Sequence, residues 1–313
     1  MSAMRVLIVG CGYVGLPLAR ELVQRGHEVF GLRRSQGDPG ADRDLTAAGI
    51  QPLQADITQS DTFRALPPSE RFEWVINAVS SRGGGAEEYR ALYVGGTRHL
   101  LEWLGPSPAA LKKYVHLSST SVYGQADGSL VKEHSPTEPS SATSRVLVET
   151  EGLLLEAARA RNFPAVLLRV GGIYGPGRGH LFLQYLRDEA RIQGKGERFL
   201  NMIHLDDLVT AVRTALQSGR PGEIYNVVDD EPVAQIHFFR WLSETLGKWM
   251  PPFATEEENA ARKRGSTNKK VSNRRLRMEL GVALKYPTFR QGYTAEITRL
   301  ERAGELIIKP AER

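Results

Sequence analysis

Near the start of the chain, Gly10-Cys11-Gly12-Tyr13-Val14-Gly15 forms a pattern that lets a backbone touch phosphate. In a Gly-x-Gly-x-x-Gly loop the first glycine permits a tight turn and the second keeps side-chain atoms away from an approaching pyrophosphate. The third lets a helix pack closely on a strand. A helix opening at this loop adds unpaired N–H groups and the positive end of its dipole. The chemistry this implies is capture of a dinucleotide. About twenty residues on, where a carboxylate would accept hydrogen bonds from ribose hydroxyls, the chain has Gly31-Leu32-Arg33-Arg34. Guanidinium groups pair with a phosphate in bidentate geometry, whereas a carboxylate repels it. Arg33 and Arg34 therefore favour NADP, with NAD as the alternative. Cys11 sits where a helix dipole can lower a thiol pKa; a small residue fitted into a crowded loop is the plainer expectation.

The loop works only if a strand leads into it and a helix leaves it. Met4–Val9 is continuous, branched and apolar, as a buried parallel strand should be. Leu16–Gln24 has helical apolar spacing and stops at Gly26. Further strands are expected at Glu28–Leu32, Trp74–Val79, Tyr114–Leu117, Ala165–Val170 and Ile224–Val228. Helices are expected at Glu87–Leu104, Ser144–Ala160 and Leu205–Leu216. Strand alternating with helix predicts an α/β protein with a doubly wound parallel sheet of the Rossmann kind. After about residue 230 the alternation weakens; Gln235–Leu246 and Phe289–Ala303 read as helices. The expected division is a dinucleotide-binding domain of residues 1–172 plus 205–232 and a smaller C-terminal substrate domain of residues 173–204 plus 233–313.

Composition narrows the function. The 313 residues are 41% hydrophobic and 25% charged, ordinary for a globular protein. No apolar run approaches the roughly 18 residues a membrane span needs, and Val6–Val9 is too short for a signal-peptide core. A cytoplasmic protein without a membrane partner is expected. The single cysteine rules out an intrachain disulfide, and the seven histidines show no metal spacing such as HExxH, so no metal is expected. The net charge of +5 suits an anionic small ligand. Arg262–Arg277 holds eight Lys or Arg and no acid, yet no aromatic interleaves with it and no nucleic-acid motif accompanies it. Nucleic acid is therefore not an expected partner.

Beyond the glycine loop, a series of ordered segments resembles the extended, atypical branch of the short-chain dehydrogenase/reductase superfamily, the NAD-dependent epimerases and dehydratases. Ala55-Asp56-Ile57 resembles the adenine-contacting segment, and Asn77-Ala78-Val79 the strand end lining the cofactor. Val115-His116-Leu117-Ser118-Ser119-Thr120-Ser121-Val122-Tyr123-Gly124 is similar to the strand that bears the catalytic serine. Leu168-Arg169-Val170-Gly171-Gly172-Ile173-Tyr174-Gly175-Pro176-Gly177 is similar to the segment passing the nicotinamide, which brings Gly171 to the cofactor. Ile203-His204-Leu205-Asp206-Asp207-Leu208 and Ile224-Tyr225-Asn226-Val227 resemble later landmarks. Four residues before Tyr123, the resemblance implies that Ser119 holds the reacting oxygen of a substrate.

The resemblance breaks at the proton shuttle. The family uses Tyr-x-x-x-Lys on a helix, where residues four apart share a face. Aligned from Pro139, Thr143 stands at the tyrosine and Leu147 at the lysine. Tyr93 stands where the family's fourth catalytic residue, an asparagine, is expected. A threonine hydroxyl titrates far above the tyrosine value of about 10. Three accounts follow: the chemistry moved to Tyr93, Tyr123, His180 or Arg145; the protein binds NADP without turnover, as a sensor; or hydride geometry alone suffices, with water as the proton source.

Substrate is expected beyond the carboxyl ends of the strands, against the smaller domain. Ser80, Arg178, His180, Asn201 and His204 are the candidate lining residues, and Lys270 and Arg274 of the basic run are candidate anion ligands. Met202 stands where the family often has arginine, which weakens any transfer of nucleotide-sugar contacts. The expected activity is an NAD(P)-dependent oxidoreductase, epimerase or dehydratase acting on a polar, sugar-derived carbonyl compound. The alternative is a catalytically silent NADP-binding regulator. The resemblance implies that a homodimer through helices beside the sheet is open to the chain, and the sequence leaves the oligomeric state undecided.

Overall fold

The structure, a computed structural model, describes residues 2–34, 39–81, 83–105, 110–260 and 267–306. Strands β1 (Arg5–Val9), β2 (Glu28–Arg33), β3 (Gln51–Gln54), β4 (Trp74–Asn77) and β5 (Lys113–Ser119) join the strands Ala165–Val170 and Ile224–Val227 in one seven-stranded sheet. Every pairing in it is parallel. From one edge the order is Ile224–Val227, Ala165–Val170, β5, β4, β1, β2, β3. The chain thus winds outward from β1 in one direction and from β4 in the other, and a crevice opens above their carboxyl ends.

Burial on both faces explains the continuous apolar strands. Val6 and Ile8 pack on one side of the sheet with Leu18, Leu22, Leu208 and Val212. Leu7 and Val9 pack on the other with Phe30, Leu100, Leu104 and Leu154. Alternate residues of β1 therefore serve opposite cores. The first layer is helix α1 (Gly15–Gln24) with the helix Leu205–Ser218; the second is Gly96–Leu104 with Ala142–Arg161. This is the Rossmann arrangement expected from the sequence.

The segment Glu87–Leu104, expected as one regular helix, contains a change of winding. Ala86–Tyr89 is α-helical, Arg90–Gly95 forms a π turn, and Gly96–Leu104 resumes the α-helix. π turns often mark functional sites, and this one carries Tyr93. A separate aromatic-rich core unites Tyr174, Phe182 and Tyr185 with Phe238, Phe239, Phe289 and Tyr293. Its helices are His180–Leu186, Gln235–Leu246 and Phe289–Arg302. Among the described residues no helix is long and apolar enough to cross a membrane.

Candidate active site

β1 ends at Val9 and α1 begins at Gly15, so the glycine loop occupies the crevice at the sheet's switch point. Its three glycines are needed for different reasons. Gly10 has φ +91°, and a Cβ there would come within 2.9 Å of the Ala78 and Val79 backbone. A Cβ on Gly15 would overlap the Gly10 carbonyl oxygen. A Cβ on Gly12 would meet no protein atom within 4 Å. Gly10 and Gly15 thus serve the packing of the chain, and Gly12 opens on empty space. α1 has no side-chain cap and no acid in its first turn, which leaves its amino end available to an anion.

Arg33 lies at the end of β2 and donates from Nε to the Cys11 carbonyl at 2.7 Å. Cys11 itself is buried, and burial outweighs the nearby Arg33 charge to push its thiol up to about 11. It is a packing residue, as the plainer expectation had it.

One cavity of about 1780 Å³ runs from this loop across the sheet edge. Of the cofactor candidates, Gly10, Cys11, Gly12, Tyr13, Val14, Arg33, Arg34, Ile57, Ala78, Val79 and Gly171 line it. Gly15 lies behind the loop. Asp56 turns to its own loop, accepting from the Thr58 amide and hydroxyl at 2.9 and 2.8 Å. Asn77 is buried and donates to the Tyr114 hydroxyl at 3.1 Å. Ser119, Tyr93, Thr143, Ser80 and Arg178 line the same cavity.

Ser119 closes β5, and its Oγ accepts the Ser121 amide at 3.1 Å. The π turn directs Tyr93 into the cavity, where its hydroxyl accepts the Ser81 amide at 3.3 Å. Burial raises the Tyr93 phenol above its ordinary range; the Ser81 amide works in the opposite direction. Tyr89, with its ring centroid 5.1 Å from that of Tyr93, also lines the cavity and was missed in the sequence. Its signal was there: two tyrosines four apart in a helical stretch share a face.

Thr143 and Leu147 lie one turn apart on the helix Ala142–Arg161 and both face the cavity. Ser141 starts that helix by accepting the Ser144 amide at 3.1 Å. Arg145, between them, is exposed, lies outside the cavity and donates to the Ser140 carbonyl at 2.6 Å. Tyr123 lies outside it as well. The short turn Thr120–Val122 carries the chain inward, and the buried Tyr123 hydroxyl donates to Asn226 at 2.7 Å and accepts from Arg169 at 2.9 Å. Arg169 forms a buried ion pair with Glu151 at 2.7 Å, and Glu151 also accepts from Ser118. This network ties the helix Ala142–Arg161 to β5 and its neighbour.

Among the remaining substrate candidates, His180 begins its helix in an exposed position outside the cavity lining. His204 caps the helix Leu205–Ser218 by accepting the Asp206 amide at 3.1 Å; it packs against Tyr174 and Tyr286, and burial lowers its pKa. The Asn201 side chain bridges the Lys269 carbonyl and the Val271 amide at 2.9 and 2.7 Å. Lys270 sits over the Phe199 ring at 4.7 Å, and Arg274 is exposed; neither lines the cavity. Residues 262–266 of the basic run lie outside the described residues. Within the described part of that run only Thr267 reaches the cavity.

Comparison with known proteins agrees with this architecture. Protein YeeZ of Escherichia coli strain K12 is 30% identical over 291 residues, covering 90% of this chain and 96% of that protein. The 3-diazoavenalumate denitrifying reductase of a Streptomyces species is 28% identical over 320 residues, covering 94% of this chain and all of that one, 100%. The fold is shared with dTDP-glucose 4,6-dehydratase from Bacillus anthracis, solved in complex with NAD. The TM-score there is 0.80 at 19% identity, over 97% of this chain and 98% of the other. The profile of the NAD dependent epimerase/dehydratase family matches residues 6–227, and the chain belongs to that family.

Proposed function

We propose that the protein is an NADP-dependent oxidoreductase acting on a polar, sugar-derived carbonyl compound, with NAD as the alternative cofactor. The observation that carries this reading is the single cavity joining the open backbone at Gly12 to the hydroxyls of Ser119 and Tyr93. At about 1780 Å³ it exceeds the roughly 300–1,000 Å³ of a site for one drug-sized ligand, so a dinucleotide and a second molecule fit together.

The residues present suit a dinucleotide. Gly12 leaves room for a pyrophosphate, the uncapped α1 faces it, and Arg34 stands exposed at the wall to pair with a 2′-phosphate. When bound, the nicotinamide ring supplies or takes a hydride. The chain's own groups handle the oxygen of the substrate. Ser119 and Tyr93 each accept a backbone N–H, which leaves each hydroxyl proton free to donate to that oxygen. Burial keeps the Tyr93 phenol protonated, so that it is a hydrogen-bond donor to that oxygen. Thr143 adds a hydroxyl but no shuttle, and Leu147 adds only apolar surface.

A second reading keeps the cofactor and drops the turnover. It is favoured by Thr143 and Leu147, which put no titratable group where the family has its phenol and ammonium. Absorbance of NADPH with a panel of polar keto-sugars separates the two. Turnover that Ser119→Ala and Tyr93→Phe both abolish supports the enzyme. Tight NADPH binding with no turnover of any compound supports the sensor and refutes the enzyme.

A further inference from the structure

We infer that Arg178 anchors a carboxylate, so that the substrate is a small carboxylate-bearing carbonyl compound. This rests on the oxidoreductase reading above and narrows its substrate class.

The backbone of Arg178 is held by a tight turn. The Gly175 amide donates to the Arg178 carbonyl at 3.2 Å, and the Arg178 amide returns to Gly175 at 2.9 Å. Pro176 presets the first corner of the turn, and Gly177, at φ +70°, takes the second, which other residues resist. The side chain is then held from across the crevice. Its guanidinium lies 4.8 Å from the Tyr13 ring centroid, and the Tyr13 hydroxyl donates to the Pro176 carbonyl at 3.2 Å. A stacked, planar fork is the arrangement that pairs with a carboxylate through two parallel hydrogen bonds.

Arg178 takes part in none of the ion pairs among the described residues, unlike Arg169, Arg275 and Arg290. Its charge faces the cavity that holds Ser119 and Tyr93. Beyond Ile173, the described residues lend that cavity only Arg178 and Thr267. Lys269 and Lys270 are engaged elsewhere, the first with the Tyr123 carbonyl and Thr267 hydroxyl, the second over Phe199. Tyr13 belongs to the glycine loop, so the platform under the anion anchor is part of the dinucleotide cradle.

Titration calorimetry on the full chain, with and without saturating NADP, tests this with matched pairs: D-glucuronate against D-glucuronamide, and phenylpyruvate against its amide. dTDP serves as the nucleotide probe. At least one acid should bind about tenfold or more tightly than its amide. Arg178→Ala should erase that difference while NADP affinity stays within about twofold, and Arg178→Lys should restore part of it. Equal affinity for acid and amide, or binding of neither acid, overturns the inference. So does a loss of NADP affinity in Arg178→Ala as large as the loss for the acid, which would make Arg178 a cofactor ligand. Tight dTDP binding that depends on Arg178 also overturns it. A chain that binds no NADP but loses acid binding in Arg178→Ala overturns the oxidoreductase reading alone.

Discussion

Substituting Gly12 and Gly15 separates what the glycine loop does for a ligand from what it does for the fold. At Gly12 a new side chain enters empty space, and the backbone is not in the left-handed region. Gly12→Val should therefore change the stability of the free protein by no more than about 0.5 kcal/mol, as at an ordinary surface position. At Gly15 one methyl overlaps the Gly10 carbonyl oxygen and meets Ile8 Cγ2 at 3.1 Å. Gly15→Ala should cost about 1–3 kcal/mol through overpacking. A ligand at 100 times its Kd stabilises the native state by about 2.7 kcal/mol, which is a rise in Tm of roughly 5 °C for a chain of this size. Thermal unfolding with and without NADPH reads all three quantities. The wild type should rise with ligand. Gly12→Val should melt like the wild type without ligand and fail to rise with it, whereas Gly15→Ala should already melt early. A Gly12→Val protein that keeps the full ligand-induced rise would show that no phosphate lies against this backbone, and the reasoning would fail.

Arg34→Asp should weaken NADP by about 10- to 100-fold, the loss of a charge-assisted pair, and NAD by less than about threefold. Equal losses in fluorescence titrations would refute a 2′-phosphate contact. Arg34 is the cleaner probe because Arg33 also braces the Cys11 carbonyl, so its loss would disturb both cofactors. In the proposed role Tyr93 donates from its protonated form, and burial raises its pKa; activity should therefore persist past pH values where an ordinary tyrosine, at about 10, would ionise. Tyr93→Phe should lower kcat by about 10²- to 10⁴-fold without changing NADP affinity, and an alkaline limb well below pH 10 would contradict the assignment. Glu151→Ala leaves Arg169 buried without its counter-charge and should cost about 3–5 kcal/mol in chemical denaturation. A loss under about 1 kcal/mol would show that the pair does not hold the helix to the sheet.

The strands buried on both faces were legible because continuous apolar runs need no partner to be recognised. β1, β2, β4 and Ala165–Val170 lie within a residue or two of their expected limits. β3 went unread: Gln51-Pro52-Leu53-Gln54 is a half-polar edge with only Leu53 partly shielded, and its strand character comes from pairing with β2. The π turn was equally hidden, since one widened turn barely shifts the apolar rhythm of Glu87–Leu104. Within the site, the loop glycines could be read because each has a local job. Side-chain direction could not. Tyr123 lies four residues from Ser119, yet its phenol turns to Arg169 and Asn226. His204 and Asn201 have the chemistry of ligands but are occupied as a helix cap and a strand brace. The partners of Tyr123 and Asn201 come from distant parts of the chain, and spacing carries no record of them; His204 is taken by its near neighbour Asp206 at the start of a helix.

The shielding of Cys11 has a practical consequence. The chain's lone sulfhydryl is sealed beneath the loop and holds its proton at neutral pH. Maleimide dyes and spin labels should pass it by without any cysteine-free background being engineered. A cysteine introduced at Glu88, exposed in the cavity wall, would then be the single attachment point, and a reporter there would follow crevice occupancy in real time.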